Sequence, residues 1–277
     1  MFDDLNKYLL NRLQNTNKYN YGNVLVVGGS PGMVGAPFLS AMASLRVGAG
    51  MVTIASTVSV IDKLEKRVVE IMTLRLPEEP EKQIDTILDF IQKRKVNVLA
   101  IGPGMDTKFS DITNLLLDRV DIPVVIDAGA IYSIRNKIIQ NKIKNEIVIT
   151  PHDGEFKKLS QITLPTNTIE REQIYSDFAK EHSLEIVGKG STTITANKKG
   201  ETVINTTGNP GLATAGSGDV LTGIIAGLIA QKLSVHEAST YGVYIHGLAA
   251  DMAAEAKTQP GMIASDIIDY LPDALKA

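Results

Sequence analysis

Apolar positions along this chain gather in short runs rich in β-branched residues: "NVLVVGG" (23–29), "MVTIAS" (51–56), "VNVLAIG" (96–102), "IPVVIDA" (122–128), "EIVIT" (146–150) and "LEIVGKG" (184–190). Within most of them the apolar character is nearly continuous, not alternating. That is the pattern of strands covered on both faces, as in a parallel sheet. Segments of helical period lie between them, at 34–47, 81–95, 130–143 and 169–182, and strands alternating with helices predict βαβ crossovers. Beyond residue 190 the pattern changes. "TTITANKKGETVIN" reads as a hairpin turning at Asn197 to Gly200, and three helical segments follow at about 211–231, 234–256 and 263–274. No linker, repeat or low-complexity block divides the chain. The expectation is one α/β domain over 1–277, a three-layer α/β/α fold with a central, mostly parallel sheet.

Composition narrows what such a domain does. With 44% hydrophobic and 21% charged residues among 277, and a net charge of −3, there is no basic footprint for nucleic acid or an anionic membrane surface. Small-molecule chemistry is favoured. The absence of cysteine removes thiolate nucleophiles and Cys-ligated zinc, and the four histidines (His152, His182, His236, His246) have no metal-ligand spacing, so any metal would be held by oxygen. The N-terminal stretch "MFDDLNKYLLNRLQNTNKYN" lacks the basic and apolar regions of a signal peptide. "VLTGIIAGLIA" is about half of the roughly 20 residues a bilayer span needs, and reads as a buried helix. The expected location is cytoplasmic.

In open α/β sheets ligands bind beyond the carboxyl ends of the strands. The unusual residues fall there: "GGSPGMVGA", "GPGMD", "DAGA", "TPHDGEF" and "GKGSTT" each follow an apolar run. "GGSPGMVGA" is not a Walker loop, because Val34, Gly35 and Ala36 stand where Gly-Lys-Ser/Thr would meet phosphate and magnesium. Nor is it a dinucleotide fingerprint, given glycines at 29, 32 and 35 and no acid at the end of the next strand. What remains is a backbone turn opening a helix of small residues. It either lets a flat ligand approach Gly35 and Ala36 or packs helix against sheet.

"TTGNPGLATAGSGDVLTG" (206–223) carries the most chemistry, with five glycines and one carboxylate ahead of an apolar helix. Glycines at 216 and 218 let successive N–H groups converge on one point, where the positive end of the helix dipole adds to an anion site. Asp219, in the first turn, would be kept ionised by that dipole and would accept a proton from a group attacking a bound phosphate. The alternative is plain N-capping by Ser217 or Asp219, worth ~1 kcal/mol.

These residues resemble a known family. "AGSGDVLTG" is similar to the G-x-G-D anion-hole signature of the ribokinase-like superfamily. Together with "GAPFLSAMASLRVGAGMVTIAS", "IGPGM", "VIDAGAI", "TPHDGEF", "GKGSTTIT" and "GNPGLATAGSGDVLTGIIAGLIAQ", over about residues 22 to 255, the pattern resembles ADP- or ATP-dependent NAD(P)H-hydrate dehydratases. The resemblance implies a hydro-lyase that phosphorylates the hydroxyl of hydrated NADH or NADPH (the S epimer) and eliminates phosphate. It implies Asp219 as the group that activates that hydroxyl. Ala36, Gly104, His152 and Asp219 would contact the hydrate. Lys189, Gly190, Ser191, Thr192, Thr193 and Gly218 would contact the adenine nucleotide, with Gly216, Ser217 and Gly218 as the anion hole. Glu155 stands at the acid of an N-x-x-E motif that organises magnesium (Mg2+) in related kinases, but His152 replaces the Asn, which suits the dehydratase. Asp127 matches the first acid of "DAGA", where many relatives carry a second Asp at the place of Gly129. The resemblance also implies a homo-oligomer, often a tetramer. With only about twenty residues ahead of the pattern, it implies no fused epimerase domain. Two other readings share part of the pattern: a vitamin-precursor kinase of the same superfamily, and a nucleotide-binding regulator without turnover.

Overall fold

Nine strands form one sheet in the order β3-β2-β1-β4-β5-β6-β7-β8-β9. The computed structural model describes residues 2–105 and 110–277. The strands are β1 (Asn23–Val27), β2 (Met51–Thr57), β3 (Met72–Leu76), β4 (Val98–Ile101), β5 (Val124–Ile126), β6 (Ile147–Ile149), β7 (Glu185–Gly188), β8 (Ile194–Ala196) and β9 (Thr202–Ile204). All pairs from β3 to β7 are parallel, and β8 and β9 close the edge antiparallel as the expected hairpin. The helices are α1 (Asp3–Leu10), α2 (Gly35–Arg46), α3 (Val58–Leu64), α4 (Pro80–Arg94), α5 (Ser110–Arg119), α6 (Gly129–Ser133), α7 (Arg135–Ile139), α8 (Asp153–Ser160), α9 (Thr168–His182), α10 (Ser217–Ala230), α11 (Val235–Lys257) and α12 (Ala264–Ala274).

The continuous apolar runs do what a doubly covered sheet requires. Val24 and Val26 enter one core with α2, α3, α10, α11 and α12, while Leu25 and Val27 enter a second with α4 to α9. Val98 and Ala100 against Leu99 and Ile101, and Val148 against Ile147 and Ile149, divide in the same way. Because side chains alternate faces along a strand, only a run apolar at every position can fill both layers. The three-layer α/β/α expectation holds. Among the described residues no helix is long and apolar enough to cross a membrane.

The structure differs from the sequence pattern at several elements. β3 went unread because its edge position leaves it partly open, and its Arg75 pairs with Asp62 and Glu65 at the sheet margin. The segment expected as one helix over 130–143 is two short helices, α6 and α7, that meet at Ile134. The expected helix over 211–231 starts only at Ser217, since residues 210–212 form a separate 3-10 turn behind Asn209. "TPHDGEF" follows β6, the fifth of the strands read from the sequence, as expected, and its Asp153 opens α8.

One packing detail positions the site. α10 is apolar on every side and buried from Val220 to Ala230, as a helix between a sheet and the helices α2, α11 and α12 must be. It lies so close to α2 that a Cβ at Gly223 would stand 2.0 Å from the Ser40 carbonyl oxygen. The hydroxyls of Ser40 and Ser44 donate across the contact to the carbonyls of Asp219 and Gly223, each at 2.7 Å. Two loop-borne helix N-termini are thereby fixed side by side.

Candidate active site

Strand order reverses direction between β1 and β4, and at such a switch point the loops beyond the carboxyl ends part to leave a crevice. The β1 and β4 tips border it. Gly29 N–H donates to the Pro103 carbonyl at 2.8 Å and the Ser30 hydroxyl to the Gly104 carbonyl at 2.9 Å. Gly104 has φ +66°, and a Cβ there would meet the Met33 carbonyl oxygen at 2.6 Å and the Ala36 methyl at 2.9 Å. The backbone reaches this contact because no side chain is present. Gly104 and Ala36, assigned to one ligand from the resemblance, are therefore neighbours. Among the described residues nothing stands within 4 Å of a would-be Cβ at Gly35, so packing against them does not require that glycine.

The β5, β6 and β7 tips converge on a buried charge cluster. Asp127, at the end of β5, is 2% exposed. It accepts from the Lys189 ammonium at 2.8 Å and the Thr150 hydroxyl at 2.6 Å, with Thr222 of α10 adjacent. The next residue, Ala128, is turned to φ 51° and ψ −133°, a costly conformation for a residue with a Cβ and one typical of functional turns. Lys189 follows β7, bridged to His152 beyond β6, and its Nζ also lies 3.9 Å from Glu155. Burial pushes Asp127 up, but the Lys189 ammonium and the hydroxyl donors outweigh it and hold the carboxyl below its usual range. Burial likewise disfavours the Lys189 ammonium, and the charges of Asp127 and Glu155 outweigh it. The pair is locked in its ionised form.

Asp219 faces this pair from α10. Burial first, then the negative charge of Asp127, push its carboxyl up to about 7; Lys189 opposes this and Glu155 adds to it. The expectation that the helix dipole keeps Asp219 fully ionised is thus corrected. A dipole end is worth about 0.3–1 kcal/mol, less than burial beside a second carboxylate. The result is a carboxylate poised near neutrality, the range in which a general base works best.

The turn ahead of Asp219 resolves the capping alternative. Gly216 takes φ 93° and the N-terminus of α10 has no side-chain cap. Ser217 turns its hydroxyl backward, to the carbonyls of Leu212 (2.8 Å) and Thr214 (3.1 Å). Ser217 N–H goes to Thr214 and Val220 N–H to Gly216, which leaves the Gly218 and Asp219 N–H groups without an acceptor among the described residues. Unpartnered first-turn N–H groups at a helix N-terminus make an anion site. A Cβ at Gly218 would stand 3.3 Å from the Lys189 Nζ, so a cation flanks those donors.

His152 has a structural task as well as a position at the crevice. Its Nδ1 accepts from Gly154 N–H (3.0 Å) and Glu155 N–H (3.3 Å), and Glu155 returns the contact to His152 N–H at 2.9 Å, a reciprocal cap on α8. The proton is therefore on Nε2, which lies 3.5 Å from the other Glu155 oxygen on a largely exposed ring. Gly190, Ser191, Thr192 and Thr193 run on from Lys189 toward β8. Arg171, paired with Asp153, comes within 3.2 Å of a Cβ built on Gly190. Asp106, at the end of "GPGMD", lies outside the described residues. Among the described residues no three carboxylate or imidazole groups are arranged to hold a metal by themselves. Magnesium commonly binds through one or two carboxylates plus substrate phosphates, and Glu155 beside the crevice fits that mode. Sequence reasoning missed Thr150, Thr222, Ser40 and Ser44, whose roles exist only across elements.

The three-layer fold with its crossover sheet is that of ribokinase-like proteins, among them a ribokinase-like superfamily protein of Enterococcus faecalis that superposes with a TM-score of 0.83 at 29% identity, covering 100% of this chain and 94% of the other. The family model described as NAD(P)H-hydrate dehydratase matches residues 24–273, and the chain belongs to that family. The bifunctional NAD(P)H-hydrate repair enzyme of Moorella thermoacetica is 43% identical over 262 residues, covering 92% of this chain and 49% of that one. The ADP-dependent (S)-NAD(P)H-hydrate dehydratase of Neisseria meningitidis is 33% identical over 264 residues, covering 92% of this chain and 86% of the relative. This chain spans about half the length of the bifunctional relatives it matches. Among solved structures, the Bacillus subtilis ADP/ATP-dependent NAD(P)H-hydrate dehydratase crystallised with ATP and Mg2+ superposes with a TM-score of 0.86 at 27% identity. That match covers 100% of this chain and 96% of the other.

Proposed function

We propose that this chain returns the S epimer of hydrated NADH or NADPH to the reduced cofactor, using ADP or ATP as phosphoryl donor. The observation that carries this is Asp219, raised to about 7, beside N–H groups without an acceptor among the described residues and beside the Lys189 ammonium. Asp219 takes the proton from the hydrate hydroxyl as its oxygen attacks the terminal phosphorus, and the phosphorus–oxygen bond to the nucleotide breaks. Phosphate then leaves with the electrons of the carbon–oxygen bond as the ring nitrogen supplies electrons, and the neighbouring carbon gives up its proton to water, its C–H electrons forming the ring double bond. Phosphate is a far better leaving group than hydroxide. The Gly216–Ser217–Gly218 turn and Lys189 stabilise charge as it develops on the transferred group.

In this reading Ala36, Gly104 and the His152 Nε2–H line the hydrate side of the crevice. Lys189 to Thr193 and Gly218 line the nucleotide side. Magnesium, when bound with the nucleotide, neutralises phosphate charge, and Glu155 is the residue that would hold it. Family membership supports the dehydratase over a vitamin-precursor kinase. A substrate pool of reduced nicotinamide cofactors fits a cytoplasmic setting for this domain. Exposed Tyr8, Leu13 and Tyr19 support burial of the N-terminal segment in a homo-oligomer such as a tetramer.

The test is incubation with hydrated NADH, magnesium and either ADP or ATP. Absorbance at the reduced-cofactor band should return with the wild type and not with Asp219→Asn. Phosphorylation of a thiazole or pyrimidine alcohol with no recovery of NADH would favour the kinase, and nucleotide binding without any turnover would favour the regulator.

A further inference from the structure

Ser217 and Gly218 share the peptide group at the centre of the proposed anion hole, and its two ends have different surroundings. The Gly218 N–H, in the uncapped first turn of α10, has no acceptor among the described residues. The Ser217 carbonyl faces the other way, into the protein, where the imidazole Nε2 of His246 on α11 approaches it to 3.0 Å. A carbonyl oxygen can only accept, so Nε2 carries the hydrogen and donates it. Burial lowers the histidine to about 4, which keeps the ring neutral and this tautomer in place. His246 is 7% exposed.

α11 backs the whole glycine-rich approach to this peptide. The Thr207 hydroxyl donates to the Tyr244 carbonyl at 2.8 Å, Gly208 N–H donates to Asp251 at 2.8 Å, and the Asn209 amide donates to the Ala250 carbonyl at 3.0 Å. The loop ending at Leu212 in turn receives the Ser217 hydroxyl. His246 belongs to the same backing and reaches the functional peptide itself.

Resting on the dehydratase reading, we infer that His246 is a positioning residue for phosphoryl transfer: its fixed N–H on the Ser217 carbonyl sets the plane of the Ser217–Gly218 peptide and so aims the Gly218 N–H at the transferred phosphate. In a trans peptide the carbonyl and the following N–H point in opposite directions, so a donor held on one end orients the other. The bond also polarises the peptide and strengthens the opposite N–H as a donor. The residue touches no substrate and acts through the turn.

The experiment compares wild type, His246→Leu and His246→Gln, the glutamine amide reaching about as far as the histidine Nε2. Removing a whole oxyanion donor costs roughly 10²–10³ in kcat, so a mis-aimed one should lower kcat about 10- to 100-fold in His246→Leu. KM for the hydrate should stay within about twofold, the melting temperature should equal or exceed that of wild type, and His246→Gln should return kcat to within about fivefold. Should leucine prevent folding, His246→Phe serves the same comparison. Unchanged kcat in the apolar variant, no rescue by glutamine, or a kcat loss that merely follows lost folded protein would overturn the inference. If wild type itself fails on the hydrate, the dehydratase reading falls separately. ADP affinity then decides for His246: weaker in the apolar variant and restored by glutamine upholds it, and no change overturns it.

Discussion

Replacing Asp219 by Asn removes a buried carboxylate while keeping its shape, so one substitution should change activity and stability in opposite directions. An elevation from 3.8 to about 7 corresponds to ~4 kcal/mol against the ionised form, at about 1.4 kcal/mol per tenfold. Because the side chain is partly open to solvent, about half of that, ~2 kcal/mol, is the figure to expect. The folded state holds this proton more tightly than the unfolded chain. The wild type therefore has its full stability from this group below about pH 4, loses it as pH rises toward 7, and bears the whole penalty above. Asparagine does not titrate. In urea denaturation of both proteins at about pH 5, 6, 7 and 8, the advantage of Asp219→Asn should grow with pH and level off above 7. Its turnover should fall about 10²–10⁴-fold, and wild-type kcat/KM should decline as pH drops below 7 and the base is protonated. A stability offset independent of pH would refute the burial argument, and turnover within tenfold of wild type would refute the base.

Lys189→Met should cost about 3–5 kcal/mol, because it leaves Asp127 buried and unpaired, and adding Asp127→Leu should recover much of it; a loss under about 1 kcal/mol for the single variant contradicts the locked pair. Gly223→Ala forces the Ser40 carbonyl away from a 2.0 Å encounter. Calorimetry should read a loss of about 1–3 kcal/mol, with lower turnover as α10 shifts. Among the described residues, Gly35→Ala meets nothing within 4 Å. Its melting temperature should hold, so any rise in KM reports a ligand passing that point. Glu155→Gln can still accept the His152 N–H of the α8 cap. It should keep its fold while raising the magnesium needed for half-maximal turnover at least about fivefold, and an unchanged requirement removes Glu155 from the metal.

The sequence by itself determined the layers of this protein. Strands apolar at every position must be covered twice, and tips rich in Gly, Pro and polar residues at five strand ends marked the edge of the sheet where ligands gather. It also placed Asp219 behind a glycine turn, because that spacing of flexible residues ahead of an apolar helix is local chemistry. The edge strand β3 escaped it, since a strand covered on one margin loses the continuous apolar signature. Tertiary structure decided everything that depends on approach through space: Asp127 against Lys189 across 62 residues, Ser40 and Ser44 pinning α2 to α10, and His246 behind Ser217. The protonation of Asp219 belongs to that second group. A local pattern offers only the helix dipole, which favours charge, whereas burial beside Asp127 exists only once distant strand ends have come together, and it reverses the sign.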